Sequence, residues 1–290
     1  MEFVTEKIFR SLVLPKRDSH KGENGRLLII AGSQKYHGSL LYALKAASRI
    51  VDLIDVLSTK ENLQLVRKLK FQTAEFIPVQ ESLLVRRGRG GHREFGNYDP
   101  FFISPSRGEE SQVDCVLAGP GMGVSRQTRG LVEKILKSKT KCVLDADALN
   151  VLDKKLLKLL HSNCLLTPHR GEFKRLFGIA ANFAAAKKSA MRYNCTILLK
   201  GKIDVIAGPS GEVIYNKTGN RGMTKGGTGD VLAGLTAAFF CKNNAFISAT
   251  TAAYLNGRAG DELYRKLGPF YNAEDLVEQI PKTLSKLVKV

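Results

Sequence analysis

The chain has 290 residues, 43% hydrophobic and 25% charged, which is enough apolar material for one large globular α/β domain or at most two. No window has the uninterrupted apolar length of a membrane span, and the first ten residues lack the apolar core and cleavage site of a secretory leader, so no membrane role and a cytoplasmic location are expected. The net charge of +18 is partly local, at Arg86, Arg87, Arg89 and Arg93 and in the lysines of residues 153–158; with no Trp and no aromatic platform, it suits an anionic small molecule, and specific nucleic-acid binding is not expected.

Residues 26–31 (R-L-L-I-I-A) form a short apolar run ending at Gly32-Ser33, which predicts a buried parallel strand and a loop. Gly38 opens a predicted helix through Leu41, Leu44, Ala47 and Ile50. A second strand over 51–57 and a second helix over 62–69 follow. Residues 86–112 are basic and Gly-rich with little periodicity, and read as a surface insertion. A strand over 113–118 ends in Gly119-Pro120-Gly121-Met122-Gly123, and a helix over 126–136 comes next. Residues 142–144 form a strand ending at Asp145-Ala146-Asp147, and residues 164–166 one ending at Thr167-Pro168-His169. After residues 196–199 the pattern changes to a β-hairpin, 205–207 and 213–215, turning at residues 208–211. Helices over 231–241, 247–267 and 275–288 close the chain.

Strand, polar or glycine-rich loop and helix in alternation predict an α/β fold with a mostly parallel sheet covered on both faces. Ligands of such sheets collect at the carboxyl ends of the strands. Gly32, Gly121, Gly123, Asp145, Asp147 and His169 all fall there. Of the five cysteines, Cys115, Cys142, Cys164 and Cys195 lie in or beside apolar runs, and no two have metal-ligand spacing. Reduced, packed thiols are the expected state.

The most informative stretch is residues 220–234, N-R-G-M-T-K-G-G-T-G-D-V-L-A-G. Its glycines precede an apolar, Ala-rich helix, so backbone N–H groups can close on an anion that the helix N-terminus also attracts. Asp230 sits at the junction, where a carboxylate can orient a hydroxyl or take its proton. It can also cap the helix, and the two roles are compatible. A phosphate cradle beside a fixed carboxylate points to phosphoryl transfer. The run has neither the Gly-Lys-Ser/Thr ending of a P-loop nor Gly-x-Gly-x-x-Gly spacing, and Gly119–Gly123 has the wrong spacing for an ordinary dinucleotide fingerprint.

Several motifs stand in order: Lys21-Gly22-Glu23-Asn24-Gly25-Arg26; Gly32-Ser33 with Tyr36 and Gly38; Gly119 to Gly123; Leu144-Asp145-Ala146-Asp147-Ala148-Leu149-Asn150; Thr167-Pro168-His169-Arg170-Gly171-Glu172-Phe173; Leu199-Lys200-Gly201; and Gly222 to Gly234. Together they resemble the ADP/ATP-dependent NAD(P)H-hydrate dehydratase family of the ribokinase-like superfamily, from about residue 21 to the C-terminus apart from the 86–112 insertion. The resemblance implies a single ribokinase-like α/β/α domain over 1–290, with no epimerase domain of the kind fused to many family members. Where an epimerase exists, it is expected as a separate chain. Homo-oligomers are also the family's tendency.

The implied activity is repair of hydrated NADH or NADPH. The ring hydroxyl is phosphorylated by ATP or ADP, and phosphate elimination restores the double bond. The implied dinucleotide contacts are Ser39 (usually Ala in the family), Gly123, His169 and Asp230, with Asp230 catalytic. Lys200, Gly201, Lys202, Ile203 and Asp204 match the adenine-nucleotide segment, although Thr is frequent at the position of Asp204. Gly229 would touch the donor nucleotide, and Gly226, Gly227 and Gly229 would form the anion hole. Asp145, Asp147 and Glu172 are acidic groups near the expected phosphates, placed to hold a hydrated Mg²⁺ through water. Alternative readings are a ribokinase-like kinase of a small vitamin-precursor alcohol and a non-catalytic nucleotide- or RNA-binding protein.

Overall fold

Short apolar runs alternate with helical stretches, and the chain folds into helices packed on both faces of one sheet. The computed structural model describes residues 1–68 and 113–288, together with the strand segments 75–79, 85–87, 93–95, 102–103 and 111–112. β1 (Arg26–Ile30) leads through α1 (Gly38–Ala47) to β2 (Leu53–Leu57), and α2 (Lys60–Lys68) precedes β3 (Glu75–Val79). Two antiparallel pairs follow, β4 (Val85–Arg87) with β5 (Arg93–Phe95) and β6 (Phe102–Ile103) with β7 (Ser111–Gln112). Next come β8 (Cys115–Ala118), α3 (Arg126–Ser138), β9 (Cys142–Leu144), α4 (Ala146–Asn150), α5 (Lys154–Leu157) and β10 (Cys164–Leu166). Helices α6 (Arg170–Phe177) and α7 (Phe183–Tyr193) precede β11 (Thr196–Leu199), β12 (Asp204–Ala207) and β13 (Val213–Asn216). Helices α8 (Thr228–Lys242), α9 (Ala245–Leu267) and α10 (Ala273–Val288) complete the chain.

Among the described residues, the central sheet has nine strands in the order β13-β12-β11-β10-β9-β8-β1-β2-β3. From β11 to β3 every pairing is parallel, while β12 and β13 join antiparallel as the expected hairpin. The chain builds outward from β1 to β3 in one direction and from β8 to β11 in the other, so the strand order reverses at the β1–β8 boundary. Side chains alternate between the faces as the strand period requires. Leu27 and Ile29 enter the core under α1, α8, α9 and α10, and Leu28 and Ile30 enter the core under α3 to α7. All five cysteines are free and buried. Among the described residues, no helix is long and apolar enough to cross a membrane.

The structure departs from the sequence expectations in several places. β3 was not anticipated; it contains Pro78, which a strand tolerates at a sheet edge, and β3 is an edge strand among the described residues. The parts of residues 86–112 that are described belong to the β4–β5 and β6–β7 pairs, and the rest lies outside the described residues. Helices α5, α6 and α7 also had no sequence assignment. Their starts are set by side-chain caps, Asp153, His169 and Asn182 respectively, rather than by strong periodicity.

One helix contact positions the site directly. A Cβ on Gly234 of α8 would lie 2.4 Å from the Ala43 carbonyl oxygen of α1, so these helices meet backbone to backbone. That approach brings the first turn of α1, with Ser39, against the first turn of α8, with Asp230.

Candidate active site

Helix α8 starts at Gly227, whose φ of +93° is left-handed and whose added Cβ would fall 2.6 Å from the Tyr42 ring. Thr228 donates its hydroxyl to the Met223 and Lys225 carbonyls at 2.7 and 3.0 Å, pinning the loop to the helix. Lys225 is tied down as well, donating to the Pro269 and Tyr271 carbonyls. Helix geometry leaves the first-turn N–H groups, including those of Gly229 and Asp230, without intrahelical acceptors. A Cβ on Gly226 would meet nothing within 4 Å, and one on Gly229 only the Lys200 Nζ at 4.0 Å. The glycines therefore divide: Gly227 is demanded by the backbone and by packing, whereas Gly226 and Gly229 border open space.

Asp230 lies in that first turn, half-buried. It is not the cap, which Gly227 provides. Burial first, and then the charge of Asp145, push its carboxyl up to about 6; a hydrogen bond from Ser39 and the charge of Lys200 oppose the shift, and Asp147 adds to it. Ser39 and Asp230 thus face each other where the first turns of α1 and α8 meet.

The facing wall comes from the carboxyl ends of β9, β10 and β11. Asp145 is buried and accepts from Lys200 Nζ and from the Thr167 hydroxyl, both at 2.8 Å. Ala146 follows with φ +46°, a left-handed conformation that costs an alanine about 1–2 kcal/mol. The kink turns Asp147 toward the loop after β8, where its Oδ2 accepts from the Gly123 N–H at 2.8 Å. Gly119 on that loop has φ +128°, and a Cβ there would sit 1.8 Å from the Asp145 carbonyl oxygen, so only glycine permits this approach. Burial works against the Lys200 ammonium, but Asp145, Glu172 and Asp230 together raise its pKa and hold it charged.

His169 caps α6. Its Nδ1 accepts from the Gly171 and Glu172 N–H groups at 3.0 and 3.2 Å, and Glu172 returns the bond to the His169 N–H at 2.8 Å. This fixes the neutral tautomer with the proton on Nε2. The ring stays exposed at the strand ends. Glu172 and Asp147 are therefore committed to protein partners, as is one oxygen of Asp145. Among the described residues, no three His, Cys, Asp or Glu side chains converge as a metal ligand set. A direct carboxylate shell for Mg²⁺ does not fit, whereas an ion held by phosphate oxygens and water beside these acids does.

A cleft of about 600 Å³ opens on the β11–β12 side of Asp230. It is bordered by Lys200, Gly201, Lys202 and Gly229 and by residues 217–221, with Asn256 and Gly257 among its lining residues. That is the size of a small-molecule site. Asn256 Oδ1 is buried without a hydrogen-bond partner beside this cleft. Two predicted contacts differ from expectation. Ile203 does not line the cleft, and Asp204 lines it with its carboxylate already taken by the Gly201 N–H and by Asn216 Nδ2 at 2.9 and 3.0 Å. Sequence reasoning passed over Thr167, although it belongs to the Thr-Pro-His motif, and passed over Asn256, which had no local signal inside an Ala-rich helix.

A mostly parallel sheet closed by a hairpin, with strand-end carboxylates beside a glycine-rich helix start, is a ribokinase-like fold. A ribokinase-like superfamily protein of Enterococcus faecalis has this fold with a TM-score of 0.81 at 22% identity, covering 100% of this chain and 97% of that one. The ADP/ATP-dependent NAD(P)H-hydrate dehydratase of Bacillus subtilis, co-crystallised with ATP and Mg²⁺, has it with a TM-score of 0.78 at 24% identity, covering 99% and 98%.

Within that class, the family model described as NAD(P)H-hydrate dehydratase matches residues 27–282, and the chain belongs to this family. The bifunctional NAD(P)H-hydrate repair enzyme of Methanocaldococcus jannaschii is 38% identical over 274 residues, 93% of this chain and 50% of that protein. The chain spans about half the length of the bifunctional relatives it matches. The ADP-dependent (S)-NAD(P)H-hydrate dehydratase of Nitrosopumilus maritimus is 33% identical over 285 residues, 95% of this chain and 93% of that protein.

Proposed function

We propose that the protein dehydrates hydrated NADH or NADPH at the expense of an adenine nucleotide. The observation that carries this reading is the half-buried Asp230 carboxylate, set at the start of α8 between Ser39 and Lys200 and beside a nucleotide-sized cleft. Asp230 takes or orients the proton of the ring hydroxyl, whose oxygen attacks the terminal phosphorus of the donor. The bond from that phosphorus to the donor's bridging oxygen breaks, and the shortened nucleotide leaves. The resulting ring phosphate departs with the carbon–oxygen electron pair, a neighbouring carbon loses a proton, and the double bond re-forms. No net oxidation occurs.

The unpaired N–H groups of the first turn of α8 and the Lys200 ammonium would meet the developing phosphate charge in the open space beside Gly226 and Gly229, and preorganised donors of this kind carry most phosphoryl-transfer catalysis. The donor nucleotide occupies the 600 Å³ cleft, bordered by Lys200, Lys202 and Gly229. The archaeal relatives named as ADP-dependent support ADP as the donor. When bound, Mg²⁺ would supply charge neutralisation on the transferring phosphate. The second oxygen of Asp145, and the lone pairs that Asp147 and Glu172 keep beside their protein partners, would hold its water ligands.

Gly229 gives a local test of the anion hole. Gly229→Ala has room in the protein itself, because the nearest atom to the added Cβ is the Lys200 Nζ at 4.0 Å. The variant is expected to fold normally and to bind adenine nucleotide at least about tenfold more weakly, since a methyl enters the space a phosphate needs. Unchanged affinity by calorimetry would make this glycine part of a turn and nothing more.

A ribokinase-like kinase would leave a stable phosphate ester, whereas the proposed reaction releases inorganic phosphate as the hydrate is consumed. Phosphate released in step with loss of hydrated dinucleotide supports the dehydratase. A phosphorylated product that persists would replace it with the kinase.

A further inference from the structure

A dinucleotide has two nucleoside halves, and the cleft on the β11–β12 side is assigned to the phosphoryl donor. The half of the hydrated dinucleotide remote from the reacting ring needs its own space. On the opposite side of the site, a second cleft of about 660 Å³ opens at the carboxyl ends of β1 and β2 and beside the start of α3. It lies at the β1–β8 boundary, where the strand order reverses. A crevice at such a switch point is where open α/β sheets take nucleotides.

Two loops join this cleft to the catalytic carboxylate. Gly32 to Lys35 line it, and Ser39, which faces Asp230, lies in the first turn of the helix at the end of the same loop. Met122 and Ser125 line it as well, and Gly123 between them donates to Asp147. The wall is held by buried polar side chains rather than by loose loop. Asn62 donates to the Ser33 carbonyl at 3.3 Å and to the Ser58 hydroxyl at 3.0 Å, and Ser58 donates to the Ala31 carbonyl at 2.6 Å. Gly32 has φ +77°, and a Cβ there would reach 2.4 Å from the Asn62 amide, so the loop sits tightly on α2.

The lining mixes apolar and polar residues, and its described charged members are two lysines and one glutamate. Lys35 and Lys60 are exposed on the rim, from the loop after β1 and the first turn of α2, and neither has an ion-pair partner among the described residues. Glu61 is the acid among the described lining residues, and with the 2′-hydroxyl phosphorylated it would accept from the 3′-hydroxyl that remains on that ribose. Lysines beside a nucleoside pocket pair with phosphate as compact point charges.

Resting on the dehydratase reading, we infer that the switch-point cleft binds the adenosine half of the hydrated dinucleotide and that Lys35 and Lys60 take its 2′-phosphate. The protein is then selective for hydrated NADPH over hydrated NADH.

The test compares the wild type with a Lys35→Ala/Lys60→Ala double variant. For each, kcat/KM is measured with both hydrates, and binding of adenosine 2′,5′-bisphosphate is followed by calorimetry with ATP present to fill the donor cleft. The wild type is expected to prefer the NADPH hydrate. The double variant should lose about tenfold or more of that preference through KM, because two phosphate contacts are gone. It should also bind the bisphosphate correspondingly more weakly. A preference unchanged by the double substitution overturns the inference while leaving the dehydratase reading intact. If the wild type turns over neither hydrate, the dehydratase reading falls. Calorimetry then decides the cleft alone: bisphosphate binding that the two substitutions abolish supports it, and no binding by the wild type overturns it.

Discussion

Asp230→Asn is expected to lower turnover by about 10²- to 10⁴-fold, the usual contribution of a positioned acid–base group, and at the same time to raise the melting temperature at pH 7. The second half follows from the sign of the linkage. The folded protein holds this carboxyl at about 6, above its unfolded value near 3.8. A carboxyl raised by folding stabilises the fold fully only below its unfolded pKa, and the benefit is lost as pH rises through about 6. At neutral pH the ionised carboxylate therefore opposes folding, by about 1–3 kcal/mol at about 1.4 kcal/mol per unit with allowance for partial solvation. Asparagine removes that charge and can still accept from Ser39. The gain in melting temperature should shrink as pH falls toward 4 and both proteins become neutral at this position. Wild-type kcat/KM should rise with pH through about 6 as the carboxylate ionises. Thermal melts and a pH profile of both proteins check this. A variant that is inactive because it is less stable would contradict the catalytic assignment.

The second large effect is expected at Lys200. Its ammonium lies 2.8 Å from an Asp145 carboxylate that is almost wholly buried. Lys200→Met leaves that carboxylate with the Thr167 hydroxyl but no counter-charge. Removing one partner of a buried pair typically costs about 3–5 kcal/mol, because the other charge stays desolvated. Lys200 also pulls the Asp230 carboxyl down, so its loss should move the acidic limb of the pH profile upward from about 6. Nucleotide affinity should fall as well, since a cation facing the phosphates is gone. Adding Asp145→Asn to Lys200→Met should recover much of the lost stability, and a double-mutant cycle isolates the coupling. If Lys200→Met alone melts like the wild type, the pair is not what holds this wall together.

Much of the site was legible because its residues stand in local motifs whose geometry the backbone dictates. Glycines before an apolar helix had to form a helix start, and strand-ending acids had to reach the carboxyl edge of a parallel sheet. Long-range contacts were not legible. Nothing in the spacing of residues 43 and 234 announces that α1 and α8 touch backbone to backbone, yet that contact sets Ser39 against Asp230. The division of labour among the glycines was hidden for the same reason, since Gly227 is constrained by the ring of Tyr42, far away in sequence. Acids near a phosphate site read alike in sequence, but Asp147, Glu172 and Asp204 already have backbone N–H partners in the fold. Asn256 is visible only once α9 is seen to place it at a cleft.

The most direct measurement is recovery of the reduced-nicotinamide absorbance from hydrated NADH and NADPH, with Mg²⁺ and with ADP, ATP or no nucleotide. The proposed chemistry predicts recovery that requires nucleotide, releases one inorganic phosphate per ring restored and disappears in Asp230→Asn. Folded protein that binds nucleotide yet restores no absorbance, with ADP or with ATP, would contradict it.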